Sequence, residues 1–290
     1  MALTVVDVVL AGFLTGGIYC LAAAGFNLQY GVARILNVAH GEFIMLGAIG
    51  TWALYVFFGI NPFVSLVICG PILFGIAILI HMLVFPRLRR LSETTEAFEG
   101  NSLLAAFGVL FIIQNIAVLI WGADERGYTF LATPINIFGA VFAANRLVAL
   151  LFAVILTVVL YIFITRTRTG KAIRAVTQDA TGARLMGIPT GRMETLCFGL
   201  GALLAGFAGV LLSSLFTITP FMGLQYTIIA IIVVVLGGLG NILGSMAGGF
   251  ILGIIGSIAT YVHVGSAMIV YYAIFVALIL ARPRGLFARR

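Results

Sequence analysis

The sequence predicts an all-α polytopic membrane protein with about 8–10 transmembrane helices. Of its 290 residues, 62% are hydrophobic and only 9% are charged, whereas soluble domains average about 45–50% apolar and about 25% charged residues. Mean hydropathy is +1.22, and the 35 glycines suit membrane helices, in which small residues allow close packing. No polar stretch reaches domain length, so residues 1–290 are predicted to form a single transmembrane domain.

Nine apolar segments have the length expected of membrane spans, which need about 20 residues each. The N-terminal stretch MALTVVDVVLAGF lacks a basic region and is predicted to be the first span rather than a removable signal. The sequence VLGGLGNILG lies at the boundary between the seventh and eighth segments, which form either two spans or a re-entrant hairpin. The predicted spans are 5–28, 36–58, 63–85, 102–121, 147–165, 195–217, 226–240, 243–262 and 266–281.

Arginine and lysine predict the orientation of these spans, because loops rich in them remain cytoplasmic. When the loops near 90 and 180 and the C-terminus lie inside, only Arg126 and Arg146 of the 16 basic residues fall outside. The N-terminus is then outside and the C-terminus cytoplasmic. The net charge of +7 thus belongs to short loops at a membrane surface and does not indicate a nucleic-acid partner.

Neither the spacing of the cysteines nor a nucleotide-binding motif indicates a cofactor in this chain. Cys20, Cys69 and Cys197 lie in apolar segments without CxxC spacing, so we interpret them as small hydrophobic residues. The chain has no GxxxxGK[ST] sequence, so hydrolysis of ATP would require another protein.

The predicted cytoplasmic loop 166–194 reads RTRTGKAIRAVTQDATGARLMGIPTGRME and contains a short helix from Asp179 to Met186. Gly187 follows it as the expected glycine past a helix end. Ala180 and Ala183 are predicted to share one face, whose small flat surface suits docking into a groove of a partner. An amphipathic helix lying on anionic lipid would show a similar pattern, and the residues alone leave both interpretations open.

The stretch NVAHGEF places three polar side chains in an apolar region. In a continuous helix Asn37, His40 and Gly41 would share one face, and Glu42 would lie about 200° from His40. That separation argues against a catalytic or metal-binding pair. Glu42 would lie roughly 12 Å along the helix from Arg34, in the inner half of the bilayer. Such groups either satisfy one another across helices or line a translocation path or gate.

A second unusual stretch, GGLGNILGSMAGG, runs over residues 237–249. Gly237, Gly240 and Asn241 are candidates for the translocation path, because a broken helix near the midplane frees backbone groups for a substrate. Small residues at this spacing are equally typical of tight helix packing.

Four segments resemble the bacterial branched-chain amino acid ABC transporter permease family, and more narrowly its H-type subunit. They are GKAIRAVTQDATGARLMGI, NVAHGEFIMLGA, LLAAFGVLFIIQN and VVVLGGLGNILGSMAGGFILG, in family order over nearly the whole chain. The ATPase-coupling motif of such importers has a glutamate followed by two alanines, where this chain reads Gln178-Asp179-Ala180. The resemblance implies that ATPase coupling lies at Asp179, Ala180, Ala183, Met186 and Gly187.

The resemblance also implies a location, a set of partners and a substrate. It implies a multi-pass protein of the bacterial inner membrane that translocates leucine, isoleucine or valine and is not an enzyme. Expected partners are a homologous second permease, two cytoplasmic ATPases and a periplasmic binding protein, besides the lipid bilayer. Related permeases for urea, amides or aromatic acids would look similar. A self-sufficient secondary transporter or channel is a further alternative, although only Glu42 could serve it as an ion-coupling carboxylate.

Overall fold

The computed structural model of the chain describes residues 2–137, 140–282 and 285–287. Over these ranges the chain forms eleven α-helices and one two-stranded hairpin. The helices are α1 (Ala2–Ala33), α2 (His40–Phe58), α3 (Ser65–Leu91), α4 (Thr95–Trp121), α5 (Ala144–Arg166), α6 (Arg168–Gln178), α7 (Ala180–Leu185), α8 (Thr190–Ser213), α9 (Met222–Gly237), α10 (Ile242–Val262) and α11 (Ala267–Ala281).

The predicted class, an all-α polytopic membrane protein, is confirmed. Seven helices are long and apolar enough to cross a membrane, and α9 and α11 are shorter apolar helices. Nine apolar helices therefore correspond to the nine predicted segments. The stretch 226–262 forms two separate helices, α9 and α10, which pack side by side. Turns or loops separate successive apolar helices. The remaining two helices, α6 and α7, are short and more polar.

Several helices extend beyond the predicted spans. α1 continues to Ala33 and ends where Arg34 adopts a positive φ of 56°. α3 passes through Pro86 to Leu91, and α4 begins directly after Thr94, whose side chain accepts a hydrogen bond from the Ala97 amide. The predicted loop 86–101 is therefore mostly helical, because hydropathy marks where a segment leaves the membrane and not where its helix ends.

The start of α2 differs from the prediction. Residues 34–39 are not helical, so Asn37 does not share a helical face with His40 and Gly41. The hydroxyl of Thr227 in α9 donates to the Val38 carbonyl at 2.9 Å and accepts from the Gly41 amide at 2.8 Å. Backbone groups that a helix would have paired internally are thus satisfied by a side chain from α9.

α1 is the central helix of the fold. It packs most extensively against α10 and α8, and its contacts with α10 run in opposite directions along the two helices. Gly249 lies against Cys20, and Gly253 lies against Gly16 one turn nearer the start of α1. Small residues at these contacts let the two backbones approach closely.

One end of the helix bundle, which we call the outer end, carries the segment between α4 and α5. This segment was predicted to be a loop, but it contains the hairpin of β1 (Pro134–Ile137) and β2 (Ala140–Ala143). Arg126 pairs with Ile218 through backbone hydrogen bonds and stacks on Trp52. The Tyr128 hydroxyl lies 2.9 Å from that of Ser213. Burial raises the pKa of Tyr128 to about 12, so its phenol stays protonated.

The opposite end, which we call the basic end, carries α6, α7 and the C-terminal end of α3. Arg89 there forms a 2.7 Å salt bridge with Glu194 of α8. Its second nitrogen donates to the Ala33 carbonyl at 2.8 Å, and its guanidinium lies 4.5 Å from the ring centre of Phe98. One side chain therefore connects the ends of α1 and α3 with the beginnings of α4 and α8.

Candidate functional site

The predicted coupling helix is present as the second of two short helices, which we call the α6–α7 unit (168–185). Asp179 separates the two helices, and its carboxylate accepts a 2.9 Å hydrogen bond from the Thr181 amide. This is an N-cap contact, which compensates one of the free amides at a helix start. Met186 caps the other end, and Gly187 follows with φ of +80°. The helix therefore lies where the sequence predicted it.

The exposed surface of this helix is different from the predicted one. Ala183 is only 5% exposed and belongs to the hydrophobic core, so it does not share an exposed face with Ala180. Leu185 and Met186 are each 83% exposed instead. Spacing along a helix gave the relative directions of these side chains but not the face that packs on the rest of the chain. A partner protein or a lipid surface would cover these two solvent-exposed apolar side chains.

The α6–α7 unit contacts the membrane helices through Thr177. A Cβ atom added to Gly31 in α1 would lie 3.2 Å from the Thr177 methyl carbon, and one added to Gly240 would lie 3.4 Å from it. Thr177 is therefore wedged between α1 and the turn that joins α9 to α10. The contacts of Thr177 could not be predicted from the sequence, because they depend on two remote glycines.

That turn, residues 238–241, is held by Asn27 of α1. The Asn27 side chain accepts from the Gly240 amide at 2.7 Å and donates to Ser245 Oγ at 2.6 Å and to the Gly238 carbonyl at 3.3 Å. Gly237 lies so close to Gly244 that a side chain at either position would meet backbone. Asn27 was not among the predicted site residues, although a fully buried asparagine in an apolar helix was a visible signal.

The polar groups of this stretch are engaged within the chain. The turn itself lies at the basic end beside Thr177. Its freed amide at Gly240 is already bonded to Asn27. Asn241 is the N-cap of α10: it accepts from the Gly244 amide at 3.0 Å and donates to the Phe287 carbonyl at 2.8 Å. The amide of Asn241 is thus engaged in holding α10 and the C-terminal segment.

Asn37 and His40 meet at Gln29 in a second buried polar group. Asn37 donates to the Gln29 side-chain oxygen at 3.1 Å, and His40 Nδ1 lies 3.2 Å from the same atom. His40 Nε2 lies 2.9 Å from the Ala22 carbonyl, and Gln29 donates to the Phe198 carbonyl at 3.0 Å. The group connects the segment before α2 with α1 and α8. Its members satisfy one another, which matches the packing interpretation of Asn37 and His40.

Glu42 is separate from this group. Its side chain is completely buried, and neither carboxylate oxygen has a hydrogen-bond partner among the described residues. Gly223, at the start of α9, lies directly against the carboxyl group. Gly223 is roughly 21 Å along α9 from Gly237 at the basic end, at 1.5 Å per residue. Glu42 therefore lies toward the outer end and not in the inner half, because α2 does not continue from Arg34.

The α6–α7 unit is placed so that it can transmit movement to the membrane helices. Over the residues with described positions, no three His, Cys, Asp or Glu side chains are grouped closely enough to hold a metal ion. The α6–α7 unit is in contact with α1 and with the turn between α9 and α10. A displacement of this unit would therefore reach three membrane helices at once.

Over the described residues, the nine apolar helices, the buried polar contacts and the exposed helical unit at the basic end fit a membrane transport subunit. The chain belongs to the family described as branched-chain amino acid transport system, permease component, whose model matches residues 8–281. This is a family of transport permeases and not of enzymes.

Similar proteins of this kind cover almost the whole chain. The high-affinity branched-chain amino acid transport system permease protein LivH of Salmonella typhimurium is 30% identical over 292 residues, covering 96% of this chain and 94% of its own length. BraD of Pseudomonas aeruginosa, another high-affinity branched-chain amino acid permease protein, is 28% identical over 291 residues, with coverage of 96% and 94%. The solved structure of PsaBC from Streptococcus pneumoniae in complex with Fab matches 94% of this chain and 91% of its own, with 13% identity and a TM-score of 0.49.

Proposed function

We propose that this chain is a membrane-spanning subunit of an ABC importer that carries leucine, isoleucine or valine across a bacterial inner membrane. The observation that carries the proposal is the α6–α7 unit. It exposes Leu185 and Met186 at one end and holds Thr177 against α1 and the Gly240 turn at the other. This placement supports a role in receiving a partner on one side and in moving helices on the other.

The energy source in this proposal is a pair of separate ATPases, since the sequence has no Walker A motif. They dock on the α6–α7 unit. A homologous second permease completes the membrane part, and a binding protein delivers the substrate at the outer end. The family match supports these partners, and the names of LivH and BraD support branched-chain amino acids as the substrate class.

The test is reconstitution of the chain with a second permease, two ATPases and a binding protein in proteoliposomes. We expect uptake of labelled leucine that requires ATP and stops when the binding protein is omitted. Urea, an aliphatic amide and phenylalanine serve as alternative substrates in the same vesicles. Leucine uptake driven by an ion gradient without ATP would contradict the importer, and uptake of urea or the amide alone would contradict the substrate.

A further inference from the structure

A cleft of about 340 Å³ lies at the outer end between α1, α10 and α11. Small-molecule sites commonly occupy about 300–1,000 Å³, so this cleft suits a ligand at the small end of that range. Arg146, Phe216 and Thr260 on its rim are exposed, whereas Leu14 and Tyr271 deeper in the cleft are buried. The lining thus combines exposed and buried side chains, so the cleft reaches the protein surface.

Arg146 is the one charged residue in the described lining of the cleft. It lies in the first turn of α5. It forms no ion pair with another described residue, since the salt bridge found over that part of the chain joins Arg89 to Glu194. A guanidinium can bind a carboxylate through two parallel hydrogen bonds, which fixes both position and orientation. The rim therefore offers one site for one carboxylate.

Besides the phenols of Tyr19 and Tyr271, three hydroxyl groups in the same lining provide the opposite chemistry. Thr15, Ser257 and Thr260 each donate their proton to a backbone carbonyl, at distances of 2.7–2.9 Å. A hydroxyl has one donor and two acceptor lone pairs, so acceptor capacity is what each has left for a ligand. Oxygen acceptors suit an ammonium group, which has three donors and no acceptor.

The rest of the lining is largely apolar. Leu14, Leu215 and Phe216 lie there together with Ala11 and Ala267. An aliphatic side chain would be removed from water by these groups, at about 25 cal/mol for each Å² buried. The cleft thus combines a cation, a set of acceptors and an apolar surface within one volume.

We propose that this cleft binds a free α-amino acid with an aliphatic side chain before it crosses the membrane. The carboxylate lies on Arg146, the ammonium group lies near the hydroxyls of Thr15, Ser257 and Thr260, and the side chain lies on Leu14, Leu215 and Phe216. This inference rests on the proposed function and deepens it, because it gives the permease its own contribution to substrate selection. A phospholipid phosphate on Arg146 is the competing occupant.

Protection of a cysteine in the cleft tests the proposal in the reconstituted complex. Ala267→Cys introduces a thiol into the lining of the cleft and removes none of the charged or polar groups assigned to the ligand, whereas Cys20, Cys69 and Cys197 are buried. We expect saturating leucine to slow modification of this thiol by an impermeant methanethiosulfonate roughly tenfold. Isoamylamine, which lacks the carboxylate, and 4-methylpentanoate, which lacks the ammonium group, should protect far less. Thr129→Cys, exposed at the same end but outside the cleft, should react at the same rate with and without leucine.

The role of Arg146 is tested in the Ala267→Cys background. Arg146→Gln should raise the leucine concentration that gives half-protection by roughly 10- to 100-fold, as expected for a lost hydrogen bond to a charged group. Arg146→Lys should retain part of the affinity. An unchanged thermal midpoint in Arg146→Gln separates loss of the ligand from loss of the fold.

The outcomes separate this inference from the proposed function. If the complex takes up leucine but leucine does not protect the thiol, the cleft is not a substrate site and the importer stands. If Arg146→Gln loses co-purified phospholipid while leucine protection is unchanged, the residue is a lipid contact and the proposal is overturned. If the complex takes up no amino acid, both the function and the cleft site are wrong.

Discussion

The carboxyl group of Glu42 lies directly against the backbone of Gly223, so the first turns of α2 and α9 meet inside the protein. A Cβ atom on Gly223 would occupy the space of the carboxyl group, and one on Gly41 would collide with the Gly223 carbonyl and the Thr227 hydroxyl. Two helices thus begin at one point, with a buried acid between them. Changes of size or polarity here should be felt in both helices.

The first prediction concerns the polarity of Glu42. A buried polar group without a partner costs about 1–3 kcal/mol of stability. Glu42→Leu removes that cost, so we expect an equal or higher thermal midpoint for the purified protein. If the carboxyl group serves the translocation path, the same variant will take up leucine several-fold more slowly. Leu46→Met, half-buried in the same helix, is the control and should change neither quantity. Normal uptake by Glu42→Leu would show that the acid is incidental to transport.

The second prediction concerns the close contact at Gly41. Gly41→Ala forces a methyl group into α9, and overpacking of this kind costs about 1–3 kcal/mol. We expect a lower thermal midpoint and reduced uptake. Gly75→Ala is the matched control, since nothing lies within 4 Å of a Cβ atom there and alanine favours a helix by up to about 1 kcal/mol. Equal midpoints for the two variants would contradict the contact.

Hydropathy was sufficient to predict nine apolar segments, because burial in lipid demands long apolar runs, but it left open whether the seventh and eighth were two spans or a re-entrant hairpin. Local signals at its ends predicted the short helix at residues 179–186. The beginning of α2 could not be predicted in this way. The segment 34–39 is held by Thr227, which is 189 positions beyond its partner Val38. A side chain so distant in the sequence does not affect the local hydropathy pattern. That pattern alone favoured a continuous helix from residue 36.

The candidate site was predictable as a set of residues but not as a set of contacts. Asn37 and His40 were identified by their polarity, yet their shared partner Gln29 was not. Ala183 was expected on an exposed face and is buried, because helical spacing does not say which face packs inward. The outer cleft was missed because its lining comes from α1, α10, α11 and Arg146 at once.

The third prediction concerns Asn27, which connects α1 with the turn after α9. Asn27→Leu would leave the Gly240 amide without the acceptor it has at 2.7 Å and Ser245 Oγ without the donor it has at 2.6 Å. Each buried group left unpaired costs about 1–3 kcal/mol, so we expect a clear fall in the thermal midpoint. Ser245→Ala removes only one partner and should have a smaller effect. A larger effect of Ser245→Ala would contradict this network.

The fourth prediction concerns orientation. The positive-inside rule places the α6–α7 unit in the cytoplasm and the hairpin segment outside. In intact cells an impermeant thiol reagent should modify Thr129→Cys and leave Met186→Cys unmodified until the membrane is opened. Both positions are exposed, so differences in burial do not explain the contrast. Modification of Met186→Cys in intact cells would reverse the topology.

The fifth prediction concerns ATPase coupling through Leu185 and Met186. A partner groove that covers these side chains would reject charge, because an unpaired carboxylate is costly to bury. We therefore expect Leu185→Asp combined with Met186→Asp to keep the thermal midpoint of the chain while co-purification of the ATPases falls at least several-fold. Leucine uptake should fall in parallel. The measurements are the ratio of ATPase to permease after affinity purification and ATP-driven uptake in proteoliposomes.

Leu91→Asp is the matched control for this pair, since Leu91 is 80% exposed at the end of α3 but lies outside the α6–α7 unit. It should leave the ATPases bound. Ala183→Trp tests something else: Ala183 is buried in the chain itself, so added bulk should lower the thermal midpoint before any effect on docking is measured. If the helix instead lies on lipid, Leu185→Trp and Met186→Trp will hold the membrane more strongly and keep normal uptake. Full ATPase binding by the double aspartate variant would exclude these two side chains from the coupling surface.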